Sequence, residues 1–227
     1  MINLRPYQQE LITEIFDAWS AGHRNVLAVS PTGSGKAFTL CSIAQHLAEN
    51  VGLPTIILVH RQELESQLCQ SLATLGVHHN IVAPKNVILD TVEIQKKLFN
   101  NKSFYKFSAP VTVASVQTIN ARAGDVNYQK VLAKQKIWIQ DEAHHMLKNN
   151  QWGKVLEFLP QDCFGIGFTA TPQRLDKKGL GRHAFGVFDH MVIGPTTRWL
   201  IDNGFLSKLF ELSCPSLSAS EFVLGFF

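Results

Sequence analysis

A glycine-rich stretch near the amino end of the chain has the residue types of an anion-binding loop. Residues 30–36 are Ser-Pro-Thr-Gly-Ser-Gly-Lys, and they lie between a short apolar run and a helical pattern. Glycines let main-chain N–H groups converge on an anion, and the start of a helix adds the positive end of its dipole. Lys36 can reach the outer phosphates of a nucleotide. The stretch predicts a phosphate-binding loop, with a chance glycine-serine turn as the alternative.

Two positions depart from the usual phosphate-loop pattern G-x-x-x-x-G-K-[ST]. Ser30 stands where the pattern has its first glycine, and Ala37 stands where it has a hydroxyl residue. The second departure matters more, because that hydroxyl ordinarily ligates the magnesium ion that bridges the terminal phosphates. Alanine has no oxygen to offer, so metal binding here depends on other residues.

An acidic pair, Asp141 and Glu142, follows the apolar run at 137–140. Alone, such a pair after a strand usually marks the start of a helix. Together with a phosphate loop, however, acids at the carboxyl end of a parallel strand predict a magnesium site and a base for the attacking water.

The elements that must position these residues alternate between short β-rich runs and longer amphipathic ones. Strands are predicted at 26–30, 55–60, 111–115, 136–140 and 164–169. Helices are predicted from Tyr7 to near Gly22 and at 35–49, 61–75 and 151–159, while 77–110 is ambiguous, with room for one strand and a helix around 91–99. This order predicts an α/β fold with a central, mostly parallel sheet flanked by helices.

Composition limits the class of protein. A chain of 227 residues with 45% hydrophobic residues suffices for one domain with a packed core. No apolar run is long enough for a membrane span, and the start lacks a signal-peptide layout, so a cytoplasmic location is expected. The cysteines are too scattered for a disulfide framework or a zinc ribbon, and reduced thiols are expected. They are Cys41, Cys69, Cys163 and Cys214.

The charge is unevenly distributed. Residues 85–136 contain nine basic and three acidic residues, a net +6 in a chain whose total is +3. A basic surface of this kind can bind a phosphate backbone. A solvated, lysine-rich face is the more common interpretation of such a stretch.

Three motifs in order resemble motifs I, II and III of superfamily two helicases and translocases. They are Gly-Ser-Gly-Lys at 33–36, Asp-Glu-Ala-His at 141–144 and Thr-Ala-Thr-Pro at 169–172. Residues 4–8 resemble the adenine-reading motif of that family, and 58–64 and 115–118 resemble motifs Ia and Ib. Residues 171–176 and 179–181 are similar to DEAH-type helicases common in phages, so the resemblance covers about 2–212.

The resemblance implies a RecA-like P-loop NTPase domain that uses ATP and Mg²⁺. Arg5 and Gln8 would read the adenine. The phosphates would be bound by the loop residues Thr32, Gly33, Ser34, Gly35, Lys36 and Ala37. Asp141 would hold magnesium through water, and Glu142 would orient and deprotonate the hydrolytic water.

The resemblance also implies roles in coupling and in nucleic-acid binding. His144, Thr169 and Thr171 would couple the nucleotide state to nucleic-acid grip, with plain core hydrogen bonding as the alternative. Phosphates of DNA or RNA would be contacted by three residues that follow strands: Arg61, Gln117 and Thr118. Trp138 and the phenylalanines of 164–169 are expected in the core rather than as base-stacking platforms.

The expected organisation is one ATP-binding lobe at 1–212 and a tail at 213–227 that starts a truncated interlobe connection. The second RecA-like lobe of a complete motor is absent from the sequence, so the resemblance implies an ATP-driven helicase or translocase lobe with little activity alone. DNA or RNA and a second lobe are the expected partners. The alternative is a catalytically silent nucleic-acid-binding or interaction module, and a P-loop kinase is disfavoured by motifs II and III.

Overall fold

The computed structural model describes residues 4–60, 62–172, 179–184 and 186–207. Over these residues seven parallel strands form one sheet in the order β3-β4-β2-β5-β6-β1-β7. The strands are β1 (Asn25–Val29), β2 (Thr55–Val59), β3 (His79–Val82), β4 (Val111–Ser115), β5 (Ile137–Gln140), β6 (Phe164–Thr169) and β7 (His190–Ile193). The predicted α/β class is therefore confirmed, and the sheet is parallel throughout.

The helices of the described residues are α1 (Pro6–Ser20), α2 (Lys36–Gln45), α3 (Gln62–Thr74), α4 (Lys85–Leu98), α5 (Val116–Ala121), α6 (Val126–Leu132), α7 (Gln151–Val155) and α8 (Thr197–Asp202). Of these helices, α1 precedes the first strand, α2 to α7 lie in the connections between strands, and α8 follows the last strand. Helix α2 continues into a π-helical segment at His46–Asn50. None of these helices is long and apolar enough to cross a membrane.

Alternation of side chains along the strands divides the core into two layers. On β2, Ile57 and Val59 pack with apolar residues of α1 to α4, whereas Ile56 and Leu58 pack with those of α5 to α7. Strands β1 to β6 are buried on both faces, which explains why their sequences are nearly continuous apolar runs.

Strand β6 carries glycines where neighbouring rings lie against its backbone. A β-carbon at Gly165 would lie 2.0 Å from the Trp138 ring, and one at Gly167 would lie 2.3 Å from the Phe188 ring. Trp138 is 3% exposed and Phe168 is fully buried, so the prediction that they belong to the core is confirmed.

The predicted elements and the structure differ mainly in short segments. The predicted strands at 111–115 and 164–169 match β4 and β6, and the ambiguous region 77–110 contains β3 and α4. The helix there begins at Lys85, well before the expected 91, directly after Pro84, whose backbone is extended. Strand β7 and helices α5, α6 and α8 were not predicted. The predicted tail at 213–227 lies outside the described residues.

Candidate nucleotide and nucleic-acid sites

The phosphate loop connects β1 to α2 at the carboxyl edge of the sheet. Gly33 and Gly35 both have φ of +82°, in the left-handed region that glycine adopts without strain. The Ser30 hydroxyl donates a 2.7 Å hydrogen bond to Ser34 Oγ across the loop, and the Ser30 N–H donates to Thr169 O at 2.9 Å. Serine at the first glycine position therefore braces the loop from within.

Lys36 lies within this loop. Its Nζ donates to the carbonyl oxygens of Ser30 and Pro31, each at 3.3 Å. The Phe38 and Thr39 N–H groups both donate to Gly35 O at 3.0 Å, which leaves the N–H groups of Lys36 and Ala37 without an intrahelical acceptor. A flexible cation and unpaired N–H groups at the start of a helix fit the phosphates of a nucleotide.

Of the two predicted adenine-reading residues, Gln8 contacts the loop directly and Arg5 contacts Gln8. The buried Gln8 side chain donates from Nε2 to Ser34 O at 3.0 Å and accepts from the Arg5 N–H at 2.9 Å. Tyr7 donates from its hydroxyl to the same Ser34 oxygen at 2.8 Å. Gln8 thus spans the amino-terminal segment and the phosphate loop, and adenine recognition by Arg5 and Gln8 stays a prediction.

The acidic pair stands at the end of β5, two strands from the loop. Burial, followed by the charge of Glu142, raises the pKa of Asp141, while the Glu142 N–H, Lys36 and His144 act in the opposite direction. The Glu142 N–H donates to Asp141 Oδ1 at 3.0 Å. Glu142 itself has φ of +52°, a strained value for a residue with a side chain. The two adjacent carboxylates have different partners, the Glu142 N–H for Asp141 and His144 for Glu142.

A hydrogen-bonded series joins motif II to motif III. His144 Nδ1 lies 3.3 Å from Glu142 Oε2 and 3.2 Å from Thr169 Oγ1. The Thr169 hydroxyl donates to Thr171 O at 3.0 Å, so it accepts from His144 and from the Thr171 N–H. The structure thus brings together the three predicted coupling residues, and their role in coupling stays a prediction.

Magnesium has a reduced set of protein ligands here. Ala37 is exposed at the start of α2 and offers no oxygen, whereas the Asp141 carboxylate lies close enough to Lys36 for their charges to interact. Mg²⁺ commonly keeps several waters and takes few protein ligands besides substrate phosphates. The site fits a magnesium ion bound to nucleotide phosphates, with Asp141 as the carboxylate that would hold its water.

The residues predicted to contact nucleic acid differ in their exposure to solvent. Gln117 is exposed in the first turn of α5, but Thr118 is 6% exposed. Ser115 Oγ accepts from the Thr118 N–H at 3.1 Å and lies 2.9 Å from the Thr118 hydroxyl. Thr118 thus belongs to the cap of α5, Arg61 lies outside the described residues, and contact of all three predicted residues with nucleic acid remains a prediction.

Sequence reasoning missed a buried carboxyl group behind this edge. Glu65 of α3 is fully buried, and neither carboxylate oxygen has a hydrogen-bond partner among the described residues. Burial raises the pKa of Glu65 to about 8, against a smaller opposing effect of the Ser115 backbone. The helical spacing of Glu65 with the buried Leu68 and Leu72 was the available signal.

Comparison with known proteins identifies the family. The model of the family described as type III restriction enzyme, res subunit, matches residues 1–174. The chain belongs to this family. The protein is 31% identical over 192 residues to the 51.5 kDa protein of a Lactococcus phage, which covers 85% of this chain and 33% of the relative. It is 24% identical over 222 residues to the type I restriction enzyme EcoKI endonuclease subunit of Escherichia coli, covering 90% and 18% of the two chains.

Solved structures agree with this family at the level of the fold. The type ISP restriction-modification enzyme LlaGI matches with a TM-score of 0.61 and 14% identity over 90% of this chain and 21% of that one. The UvsW helicase of bacteriophage T4 matches with a TM-score of 0.59 and 17% identity over 85% and 60%. The resemblance of this res-family chain to a first RecA-like helicase lobe is confirmed. The chain spans a third or less of these two curated relatives.

Proposed function

We propose that this chain is the ATP-binding lobe of a motor that hydrolyses ATP while moving on DNA or RNA. The observation that carries the proposal is the juxtaposition of Lys36 in the phosphate loop with Asp141 and Glu142, and the continuation of that pair through His144 to Thr169. Domain boundaries of 1–212 for the lobe and 213–227 for a connecting tail are part of this proposal.

Each residue of the site has a distinct task in this proposal. Lys36 leaves the carbonyl oxygens of Ser30 and Pro31 to bind the outer phosphates, and the start of α2 supplies N–H donors. Asp141 holds the magnesium water, and Glu142 orients and deprotonates the attacking water. Magnesium, when bound, neutralises charge on the phosphates.

The proposed nucleic-acid site is the carboxyl edge of β2 and β4. Arg61 and Gln117 lie beside it in sequence, and the basic stretch at 85–136 adds favourable charge. The LlaGI relative in fold was solved with a DNA substrate mimic, which favours DNA as a partner. A complete motor needs a second RecA-like lobe to supply the arginines that neutralise the transferring phosphoryl group, so this lobe alone should hydrolyse ATP slowly.

Ala37 favours a second candidate, a nucleic-acid-binding module that no longer hydrolyses ATP. This candidate shares the fold and the nucleic-acid surface with the motor lobe but lacks turnover. Release of phosphate that increases when nucleic acid is added separates the two, because only an ATP-hydrolysing lobe can show it.

The first test is titration of a fluorescent adenine nucleotide, with and without magnesium. Lys36→Ala should weaken binding at least about tenfold, because a charge-assisted contact to phosphate is lost. The matched control is Lys154→Ala, which removes an exposed lysine of α7 and should bind as the wild type does. Equal affinities for the Lys36 variant and the wild type would reject the site.

The second test measures binding of single-stranded DNA and RNA oligomers as a function of salt. Contacts to phosphate release counterions, so Arg61→Ala should flatten the log-log slope by about one if it makes one contact. Arg198→Ala, which removes an exposed cation on α8, should leave the slope unchanged. No binding of either polymer at low salt would remove the nucleic-acid part of the proposal.

A further inference from the structure

The last described segment of the chain returns to the phosphate loop. After α8 the chain turns at Gly204, which has φ of +73°. The Phe205 and Leu206 N–H groups then both donate to Leu200 O, at 2.8 and 3.1 Å. Leu200 is fully buried, so these bonds anchor the pair to the lobe. We refer to Phe205–Leu206 as the exit segment.

Leu206 packs on the crest of the phosphate loop. A β-carbon at Gly33 would lie 2.8 Å from the Leu206 Cδ2 methyl. Gly33 is therefore constrained twice, by its left-handed backbone and by a neighbour that occupies the space of a side chain. A movement of the loop crest toward Leu206 would displace the Leu206 side chain.

A second contact reaches the loop through Tyr7. The Phe205 and Tyr7 rings meet edge to face, with centroids 5.1 Å apart, and the Tyr7 hydroxyl donates to Ser34 O. Arg5 Nη1 donates to Phe205 O at 3.1 Å, and its guanidinium lies 5.4 Å from the centre of the Phe205 ring. The exit segment is thus held by two neighbours of Gln8, which itself contacts the loop.

We propose that Tyr7, Phe205 and Leu206 are positioning residues that link nucleotide occupancy of the phosphate loop to the placement of the exit segment. The inference rests on the proposed ATP binding. When Lys36 transfers from the loop carbonyls to phosphate, the carbonyl oxygens of Ser30 and Pro31 lose their donor. Closely packed contacts do not deform continuously, so the change is passed to Leu206 and, through Ser34 and Tyr7, to Phe205.

The chain carries a natural reporter of this movement. Trp199 stacks with Phe205 at 5.8 Å and an interplanar angle of 18°, and it is 42% exposed. Trp138 and Trp152 are buried at 3% and 9% exposure and contact Phe188 and His60, and Trp19 contacts Phe16 and Phe164. A change in tryptophan emission that requires Trp199 therefore reports on the exit segment.

The experiment adds MgATP and MgADP to the full 227-residue chain and follows tryptophan emission, with calorimetry as an independent measure of binding. We expect emission to change with the dissociation constant that calorimetry gives. Trp199→Phe should remove the emission change and leave calorimetric binding intact. Leu206→Ala and Tyr7→Phe should each reduce its amplitude at least about threefold, whereas Leu206→Met, which keeps the packing volume, should restore most of it.

The outcomes separate this inference from the proposed function. If calorimetry shows binding but no Trp199-dependent change in emission follows, the link between nucleotide occupancy and the exit segment is overturned. The proposed ATP binding then still stands. Full emission amplitude in Leu206→Ala also overturns the link, because the packing on Gly33 would then transmit nothing. Absence of any heat of binding overturns the proposed ATP binding and this inference with it.

Discussion

The phosphate loop and the carboxyl ends of β2 and β4 lie at the same edge of the sheet, but different contacts hold them in place. We refer to the ends of β2 and β4 as the β4 edge. The loop is braced by residues far away in sequence, including Tyr7, Gln8 and the carbonyl of Thr169. The β4 edge is held locally, by Ser115 bonding to Thr118 three residues on, and a buried Glu65 lies behind it. Substitutions at the loop should therefore change ligand binding, whereas those at the β4 edge should first change stability.

The largest expected effect comes from Glu65, whose pKa of about 8 lies above the 4.5 of an unperturbed glutamate. Because folding raises this pKa, the free energy of unfolding is highest below pH 4.5 and decreases as the pH rises from 4.5 to about 8. Glu65→Gln stays neutral, so its free energy of unfolding should exceed that of the wild type by about 5 kcal/mol at pH 8.5 and match it near pH 4.5.

Urea unfolding of both proteins at the two pH values measures this difference. Glu157→Gln, on an exposed 3-10 turn, is the control and should show the pH dependence of the wild type. Parallel stability curves for Glu65→Gln and the wild type would mean that the buried carboxyl does not titrate in this range. A titrating buried carboxyl group would then not distinguish the β4 edge from the phosphate loop.

A smaller effect is expected from Ser115→Ala, which removes the cap of α5. Loss of a capping hydroxyl costs about 1 kcal/mol, because the Thr118 N–H loses its acceptor. Thr196→Ala removes the equivalent cap of α8 and serves as the matched comparison. Thermal unfolding should show a similar decrease for both variants, with ATP affinity unchanged in Ser115→Ala. A nucleotide-binding defect in that variant would show that the two regions are not independent.

The smallest effect is expected at Ala37. Threonine there restores the oxygen that phosphate loops usually offer to magnesium, so Mg²⁺ should increase ATP affinity about threefold more in Ala37→Thr than in the wild type. Ala37→Val has the same branching without the oxygen and controls for helix propensity. Nucleotide titrations in Mg²⁺ and in a chelator give the ratio. Equal ratios for the two variants would show that the side-chain oxygen at 37 contributes nothing to metal binding.

The sequence predicted elements well where a buried strand gives a continuous apolar run. Strands β4 and β6 are of this kind, whereas β7 has four residues, begins with histidine and lies at the edge of the sheet. Such a short edge strand is defined by its pairing with β1 rather than by its own pattern. The short helices α5 and α8 likewise depend on caps and on packing more than on periodicity.

The candidate site shows the same limit. Motif spacing indicated Lys36, Asp141 and Glu142, because their types and positions carry the chemistry. It did not indicate that the Tyr7 hydroxyl bonds to Ser34 or that Leu206 lies on Gly33, since both contacts join segments far apart in the chain. Long-range contacts of this kind are set by tertiary packing, which local pattern does not encode.

The two glycines of β6 that contact aromatic rings also limit which substitutions this lobe can accept. Because the rings of Trp138 and Phe188 occupy the places of side chains at Gly165 and Gly167, alanine at either glycine is incompatible with its present neighbour. A viable route needs the ring to shrink first, so the order of substitutions matters and the two positions of each pair are epistatic. Sequences descended from a common ancestor should therefore carry a residue larger than glycine at 165 or 167 only where the neighbouring ring has been replaced by a smaller side chain.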